Sequence, residues 1–145
     1  MVPSIALVGA TGLVGGHLLT SFLDALASGK LSALRILTTG PIDAPRLAEA
    51  AAKSGVIVRK VDYADVGTLE MALSGIDIVV SAMGMGSRSS VESYETSKAN
   101  LITAAARCGV KVSLWCSWRG EAALTAGARS MCRLSGAPIT SRTLR

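Results

Sequence analysis

The segment GATGLVG at residues 9–15 constrains the fold most, because it joins an apolar run at residues 5–8 to a segment with helical spacing of apolar residues. A glycine-rich turn from strand to helix can hold the pyrophosphate of a dinucleotide. Three glycines serve the tight turn, the approach of the backbone to the phosphates and the packing of helix on strand. The first amides of the helix favour an anion because they have no partner within it. The turn predicts a dinucleotide site formed by Gly9, Ala10, Thr11, Gly12, Leu13, Val14 and Gly15.

Strand and helix patterns alternate with short connections along the first 115 residues, which is typical of a parallel α/β sheet. Strands are predicted at residues 5–8, 33–38, 56–61, 76–83 and 110–115, with helices at residues 13–27, 66–73 and 91–107 and another that begins near Pro45. We predict one Rossmann-like, doubly wound parallel sheet of about five strands in the order 3-2-1-4-5. Residues 116–145 show no sixth strand pattern, so an irregular or partly helical basic tail is expected there, with no separate domain and an incomplete C-terminal part.

Charge, cysteines and hydropathy exclude several classes of protein. The net charge of +5 arises entirely after residue 110, because residues 1–110 carry nine basic and nine acidic residues. A nucleic-acid-binding protein usually places its basic residues on a folded face with a recognition motif, and none is visible. No apolar run approaches the roughly 18 residues that span a bilayer. The three cysteines, Cys108, Cys116 and Cys132, lack the spacing of metal ligands, so we expect reduced thiols and no metal site. Together these features predict a cytoplasmic protein without a membrane segment.

Four segments together resemble one family. They are IALVGATGLVGGHLL at residues 5–19, VDYAD at 61–65, IDIVVSAMG at 76–84 and LITAAARCGVK at 101–111. Their order and spacing resemble the NmrA-like group, which includes isoflavone-reductase-like proteins and belongs to the atypical short-chain dehydrogenase superfamily. The resemblance covers about residues 3–111. It implies a domain that binds NADPH or NADP and belongs to an oxidoreductase, or alternatively a non-enzymatic NAD(P) redox sensor that regulates a protein partner.

The end of the second strand bears on the choice of cofactor. NAD-selective folds carry an acidic residue there for the ribose 2′-hydroxyl, whereas this chain has Thr38 and Thr39. An acid would repel a 2′-phosphate, so its absence favours NADP while leaving NAD open. The family often has an arginine at this point that this chain lacks, and Arg46 is the nearest base.

Further candidate cofactor residues follow the third and fourth strands. Asp62 resembles the acidic residue near the adenine in related folds, or it is a solvated loop carboxylate. Ala82, Met83 and Gly84 are expected on the ribose and nicotinamide side, and the loop at residues 85–90 either lines the mouth of the site or is an ordinary surface loop.

Two patterns that suggest catalysis are discounted, so the catalytic residues are unknown. Tyr94 and Lys98 have the Y-x-x-x-K spacing in which a lysine lowers the pKa of a catalytic tyrosine. In the superfamily that pair follows strand five, whereas here it follows strand four, so Tyr94 is expected to be a half-buried helix residue. The single histidine, His17, is expected to be a solvated or partly packed residue of the first helix.

The chain departs from the family pattern after Lys111. No further lysine follows, while Arg, Trp and Cys increase and the periodicity is lost. These changes suggest a truncated chain whose tail comes from a frameshift or a retained intron. The expected consequences are an incomplete substrate site and an uncovered edge at strand four or five that favours self-association.

Overall fold

A computed structural model describes residues 1–84, 90–116 and 122–126 of the chain. Six strands form one sheet in the order β3-β2-β1-β4-β5-β6. The strands are β1 (Ser4–Val8), β2 (Ala33–Thr38), β3 (Val56–Lys60), β4 (Ile78–Ser81), β5 (Val112–Cys116) and β6 (Ala122–Ala126), and the helices are α1 (Leu13–Ala27), α2 (Pro45–Ala51), α3 (Val66–Leu73) and α4 (Val91–Arg107). The first five strands are parallel, and β6 is antiparallel to β5.

Helices cover both faces of the sheet, and β1 is buried along its whole length between them. Alternate residues of a strand point to opposite faces, so β1 contributes to two separate clusters of buried side chains. Ile5 and Leu7 pack with residues of α1 and α2 such as Leu19 and Leu47. Ala6 and Val8 pack with residues of α3 and α4, among them Leu69, Leu73, Leu101 and Ala104. This arrangement confirms the predicted doubly wound, Rossmann-like fold.

The predicted strand order 3-2-1-4-5 is confirmed, and α1, α3 and α4 have the predicted limits. The fourth strand is shorter than the predicted residues 76–83, because only Ile78–Ser81 pairs with β1. Among the described residues, no helix has both the length and the apolar character that would carry it across a bilayer.

The prediction that no sixth strand follows β5 is wrong, and so is the irregular or helical structure predicted for that part of the tail. Ala122–Ala126 forms β6, whose residues pair with all of β5 from Val112 to Cys116. Its sequence AALTA is rich in alanine, which favours a helix locally, so pairing with β5 outweighs local propensity.

The edges of the described sheet also differ from the prediction. Strand β4 lies between β1 and β5, and β5 lies between β4 and β6, so neither is an edge. The edge strands are β3 and β6. Self-association through an edge stays a prediction, and it would now involve one of these two strands.

Candidate functional site

The turn from β1 to α1 passes unusually close to the chain that leaves β4. Gly9 has a φ of +82°, a conformation that residues with a side chain rarely adopt. A Cβ atom added to Gly9 would lie 2.7 Å from the carbonyl oxygen of Ala82 and 3.0 Å from the amide nitrogen of Met83. Gly9 is therefore required both by its own backbone conformation and by the approach of its neighbour.

The other two glycines of the turn have different surroundings. Gly15 is buried, and an added Cβ would lie 2.6 Å from the carbonyl carbon of Gly9. The lack of a side chain at Gly15 therefore allows α1 to pack on the turn. Gly12 is exposed at the N-cap of α1, and an added Cβ would meet only the Gly9 oxygen, at 3.4 Å. The N-cap residue Gly12 has no side chain that could accept from α1, so among the described residues the amides of its first turn are left for another partner.

A cavity of about 340 Å³ opens where the parallel strands β1, β2 and β4 end. Its walls come from the turn after β1, the end of β2, the start of α2, Tyr63 in the turn after β3 and the chain after β4. No charged side chain lines the described cavity, whose residues are Gly9, Ala10, Thr11, Gly12, Leu37, Thr38, Thr39, Leu47, Tyr63, Ala82, Met83 and Gly84.

Most of the sequence-predicted cofactor residues are brought together in this cavity, and four are not. Leu13 and Val14 are exposed on the first turn of α1, by 83% and 53%, and Gly15 is buried beneath it. Asp62 is exposed, and its carboxylate accepts a hydrogen bond from the amide of Ala64 at 2.9 Å. The candidate loop at residues 85–90 lies outside the described residues except for Ser90, the N-cap of α4.

Tyr63 is a wall residue that the sequence reasoning missed. Its side chain is half-buried against the α3–α4 cluster, and burial raises the pKa of its hydroxyl. Its backbone carbonyl accepts a hydrogen bond of 2.8 Å from the side-chain amide of Asn100 on α4. The available signal was its position three residues after β3, in a chain with only 3% aromatic residues.

The opposite wall is also tied to α4, through Tyr94. The Tyr94 hydroxyl donates a hydrogen bond of 3.2 Å to the carbonyl of Met83. Burial and the nearby carboxylate of Glu95 raise the pKa of Tyr94, which is opposite in direction to the shift that a catalytic tyrosine requires. Tyr94 is half-buried, as the sequence predicted.

The basic residues near the end of β2 lie outside the cavity. Arg46 is exposed, and the end of its side chain lies over Gly16 in the groove between α1 and α2. Lys60 is exposed and pairs in register with Thr38 at the end of β2. Within the described part of the chain, no three His, Cys, Asp or Glu residues form a group that could hold a metal ion.

The fold and the cavity define a class of dinucleotide-binding domain, and comparison with known proteins identifies its family. Residues 9–129 match the family described as NAD(P)H-binding. The match covers most of the chain and extends past Lys111, where the resemblance seen in the sequence ended. The chain belongs to this NAD(P)H-binding family, of the NmrA-like and short-chain dehydrogenase type.

Individual relatives agree with this assignment. Quinone oxidoreductase 2 of Escherichia coli (strain K12) is 30% identical over 109 residues, which are 74% of this chain and 34% of that protein. This chain thus spans about a third of the length of that curated relative.

Solved structures give the same picture. The triphenylmethane reductase of Citrobacter sp., solved in complex with NADP(H), is 27% identical with a TM-score of 0.61, over 77% of this chain and 36% of that one. A putative epimerase from Bacteroides thetaiotaomicron shares the fold at 23% identity with a TM-score of 0.61, over 79% of this chain and 47% of that one.

Proposed function

We propose that this domain binds NADP(H) in preference to NAD(H) and forms the cofactor-binding part of an oxidoreductase. The observation that carries the proposal is the cavity between the turn after β1 and the chain after β4, lined by Gly9, Gly12 and Ala82. In open α/β sheets a dinucleotide binds outside the carboxyl ends of the strands, where the strand order reverses. Here that reversal lies between β1 and β4.

Each part of the dinucleotide would meet a different wall. The pyrophosphate would lie against Gly9, Ala10, Thr11 and Gly12 and the first amides of α1, at Leu13 and Val14. The adenosine half would lie toward the ends of β2 and β3, near Thr38, Thr39 and Tyr63, with Asp62 beside them. The nicotinamide half would lie toward Ala82, Met83 and Gly84. Gly15 would act indirectly by seating α1 on the turn.

Two observations support NADP over NAD. No carboxylate lines the described cavity, so nothing there repels a 2′-phosphate, and the exposed base Lys60 pairs in register with Thr38 at the adenosine side. In addition, the Citrobacter sp. reductase that this chain resembles was solved with NADP(H).

The binding test is a fluorescence titration of the protein with NADPH and with NADH, repeated with Gly12→Ala and Gly12→Val. We expect the protein to bind NADPH more tightly than NADH. Gly12→Val should bind NADPH about tenfold or more weakly, because the added methyl groups occupy space that the phosphates need. The melting temperature of Gly12→Ala should change little, since Gly12 has a φ of −75° and room for a Cβ. Affinity in Gly12→Val equal to that of the unaltered protein would refute the assigned phosphate position.

The reaction itself is a separate part of the proposal. A bound nicotinamide supplies hydride chemistry, and the protein must hold a substrate against it. The described lining contains no histidine, lysine or carboxylate, so we infer that it binds the cofactor without a complete substrate site. The same observation favours a redox sensor as the second candidate. Loss of NADPH absorbance on addition of quinones or other carbonyl compounds would identify an enzyme, whereas binding without turnover would favour the sensor.

A further inference from the structure

Helix α4 is bonded to both walls of the cavity by side chains that do not line it. Tyr94 donates to the backbone carbonyl of Met83 at 3.2 Å, and Asn100 donates to that of Tyr63 at 2.8 Å. Both acceptors belong to cavity residues. We propose that Tyr94 and Asn100 are positioning residues, and that each sets the affinity for one half of the dinucleotide. This inference rests on the proposed cofactor binding.

The first wall is the chain that leaves β4. The Ala82 amide donates to the Val8 carbonyl at 2.9 Å, and the Met83 amide donates to the Ser81 hydroxyl at 3.4 Å. These bonds fix the amides of this segment, while the Met83 carbonyl is fixed by Tyr94. Burial and Glu95 raise the pKa of Tyr94, which favours the protonated hydroxyl that this bond requires.

The second wall is the turn between β3 and α3. Its local bonds run from Ala64 to the Asp62 carboxylate and from the Asp65 amide to the Asp62 carbonyl, and the first of these is exposed. The bond from Asn100 connects the turn to a helix 37 positions further along the chain. It therefore fixes the backbone of Tyr63 relative to the rest of the domain.

The two walls serve different halves of the ligand because of the strand order. Strands β2 and β3 lie on one side of β1, and β4 lies on the other. A dinucleotide whose pyrophosphate lies at the end of β1 thus extends its adenosine toward Tyr63 and its nicotinamide toward Met83. In this arrangement the hydroxyl of the Y-x-x-x-K tyrosine donates to backbone and takes no part in proton transfer.

The test uses NADPH and 2′,5′-ADP, which carries the adenosine and 2′-phosphate of NADPH without nicotinamide. Affinities are measured by titration calorimetry for the unaltered protein, Tyr94→Phe, Asn100→Ala and Thr103→Val. The last variant is the matched control, because the exposed Thr103 hydroxyl donates to Ala99 within α4 itself. Melting temperatures establish that each variant is folded.

The expected pattern separates the two halves. Tyr94→Phe should bind NADPH about 3- to 10-fold more weakly, the range for one hydrogen bond, with less than a twofold change for 2′,5′-ADP. Asn100→Ala should bind both ligands about 3- to 10-fold more weakly, and Thr103→Val should bind both with unchanged affinity.

Two outcomes would overturn this inference and leave the proposed function standing. One is NADPH affinity unchanged in both Tyr94→Phe and Asn100→Ala, and the other is an equal loss for both ligands in Tyr94→Phe. Each variant is judged separately, so misfolding of one leaves the other as a test of its own wall. Absence of NADPH binding to the unaltered protein would instead overturn the proposed function, and this inference with it.

Discussion

Gly15→Ala and Gly16→Ala are neighbouring changes in α1 whose difference measures how tightly the helix packs on the glycine turn. Both positions are buried and helical, so each change gains about 1 kcal/mol of helix propensity. At Gly16 the new Cβ would meet the end of the exposed Arg46 side chain, which can move aside. At Gly15 it would lie 2.6 Å from the carbonyl carbon of Gly9 and 3.1 Å from the Cα atom of Ala10, which are backbone atoms.

The magnitude follows from what has to move. To accept a Cβ at Gly15, α1 and the turn must separate by roughly 1 Å, and overpacking of this kind costs about 1–3 kcal/mol. Since the propensity gain is common to both variants, the free energies of unfolding should differ by about 1–3 kcal/mol. For a domain of this size that difference is about 3–10 °C in melting temperature.

The assay is thermal unfolding followed by circular dichroism, together with NADPH titration. Gly16→Ala should melt at or above the unaltered protein, whereas Gly15→Ala should melt below Gly16→Ala and bind NADPH more weakly because Gly9 is displaced. Equal melting temperatures for the two variants would refute the reasoning that Gly15 is required by contact with the turn.

The remaining predictions concern stability. The Asp77 carboxylate accepts bonds from the amide and hydroxyl of Ser4 and from Lys111, and they lower its pKa to about 2. The pKa of Asp77 in the folded protein lies below the unfolded value of about 3.9, so Asp77→Asn should lower the urea midpoint at neutral pH. The difference in midpoint between the variant and the unaltered protein should narrow as pH falls from about 4 toward 2. A difference that does not depend on pH would contradict this prediction. Leu101→Ala should cost about 2–5 kcal/mol in denaturant unfolding because Leu101 is fully buried on α4, whereas Met71→Ala, at a residue 76% exposed, should cost less than about 0.5 kcal/mol. Similar losses in the last two variants would refute the described packing of α3 on α4.

Elements whose ends are decided by local chemistry could be predicted from the sequence. Helix α3 begins where the Asp65 side chain accepts from two amides of its first turn, and α4 begins where the Ser90 hydroxyl accepts from the amide of Ser93. Helix α4 is followed by Gly109, with a φ of +70°. Each of these signals lies within a few residues of the end that it determines, so sequence reasoning finds it.

Features that depend on distant parts of the chain could not be predicted. Strand β6 forms because it pairs with β5, against the helical preference of its alanines. Tyr63 lines the cavity and its backbone carbonyl accepts a hydrogen bond from Asn100, far along the chain, while Asp62 beside it is exposed. The fourth strand begins after Asp77, which bonds to Ser4 and Lys111, although the apolar pattern begins earlier.

The two ends of the sheet have different chemistry, and the register of β1 and β4 relates them. At the amino end, the bonds between Asp77 and Ser4 join the start of β1 to the start of β4. The register of the pair then brings Val8 opposite Ser81 at the carboxyl end. Because both strands end at the same level, the next residue of each chain meets the other, and only a glycine at position 9 fits against Ala82. The polar network at one end of the sheet is thus consistent with the same β1–β4 register that brings Gly9 against Ala82 beside the cavity at the other end.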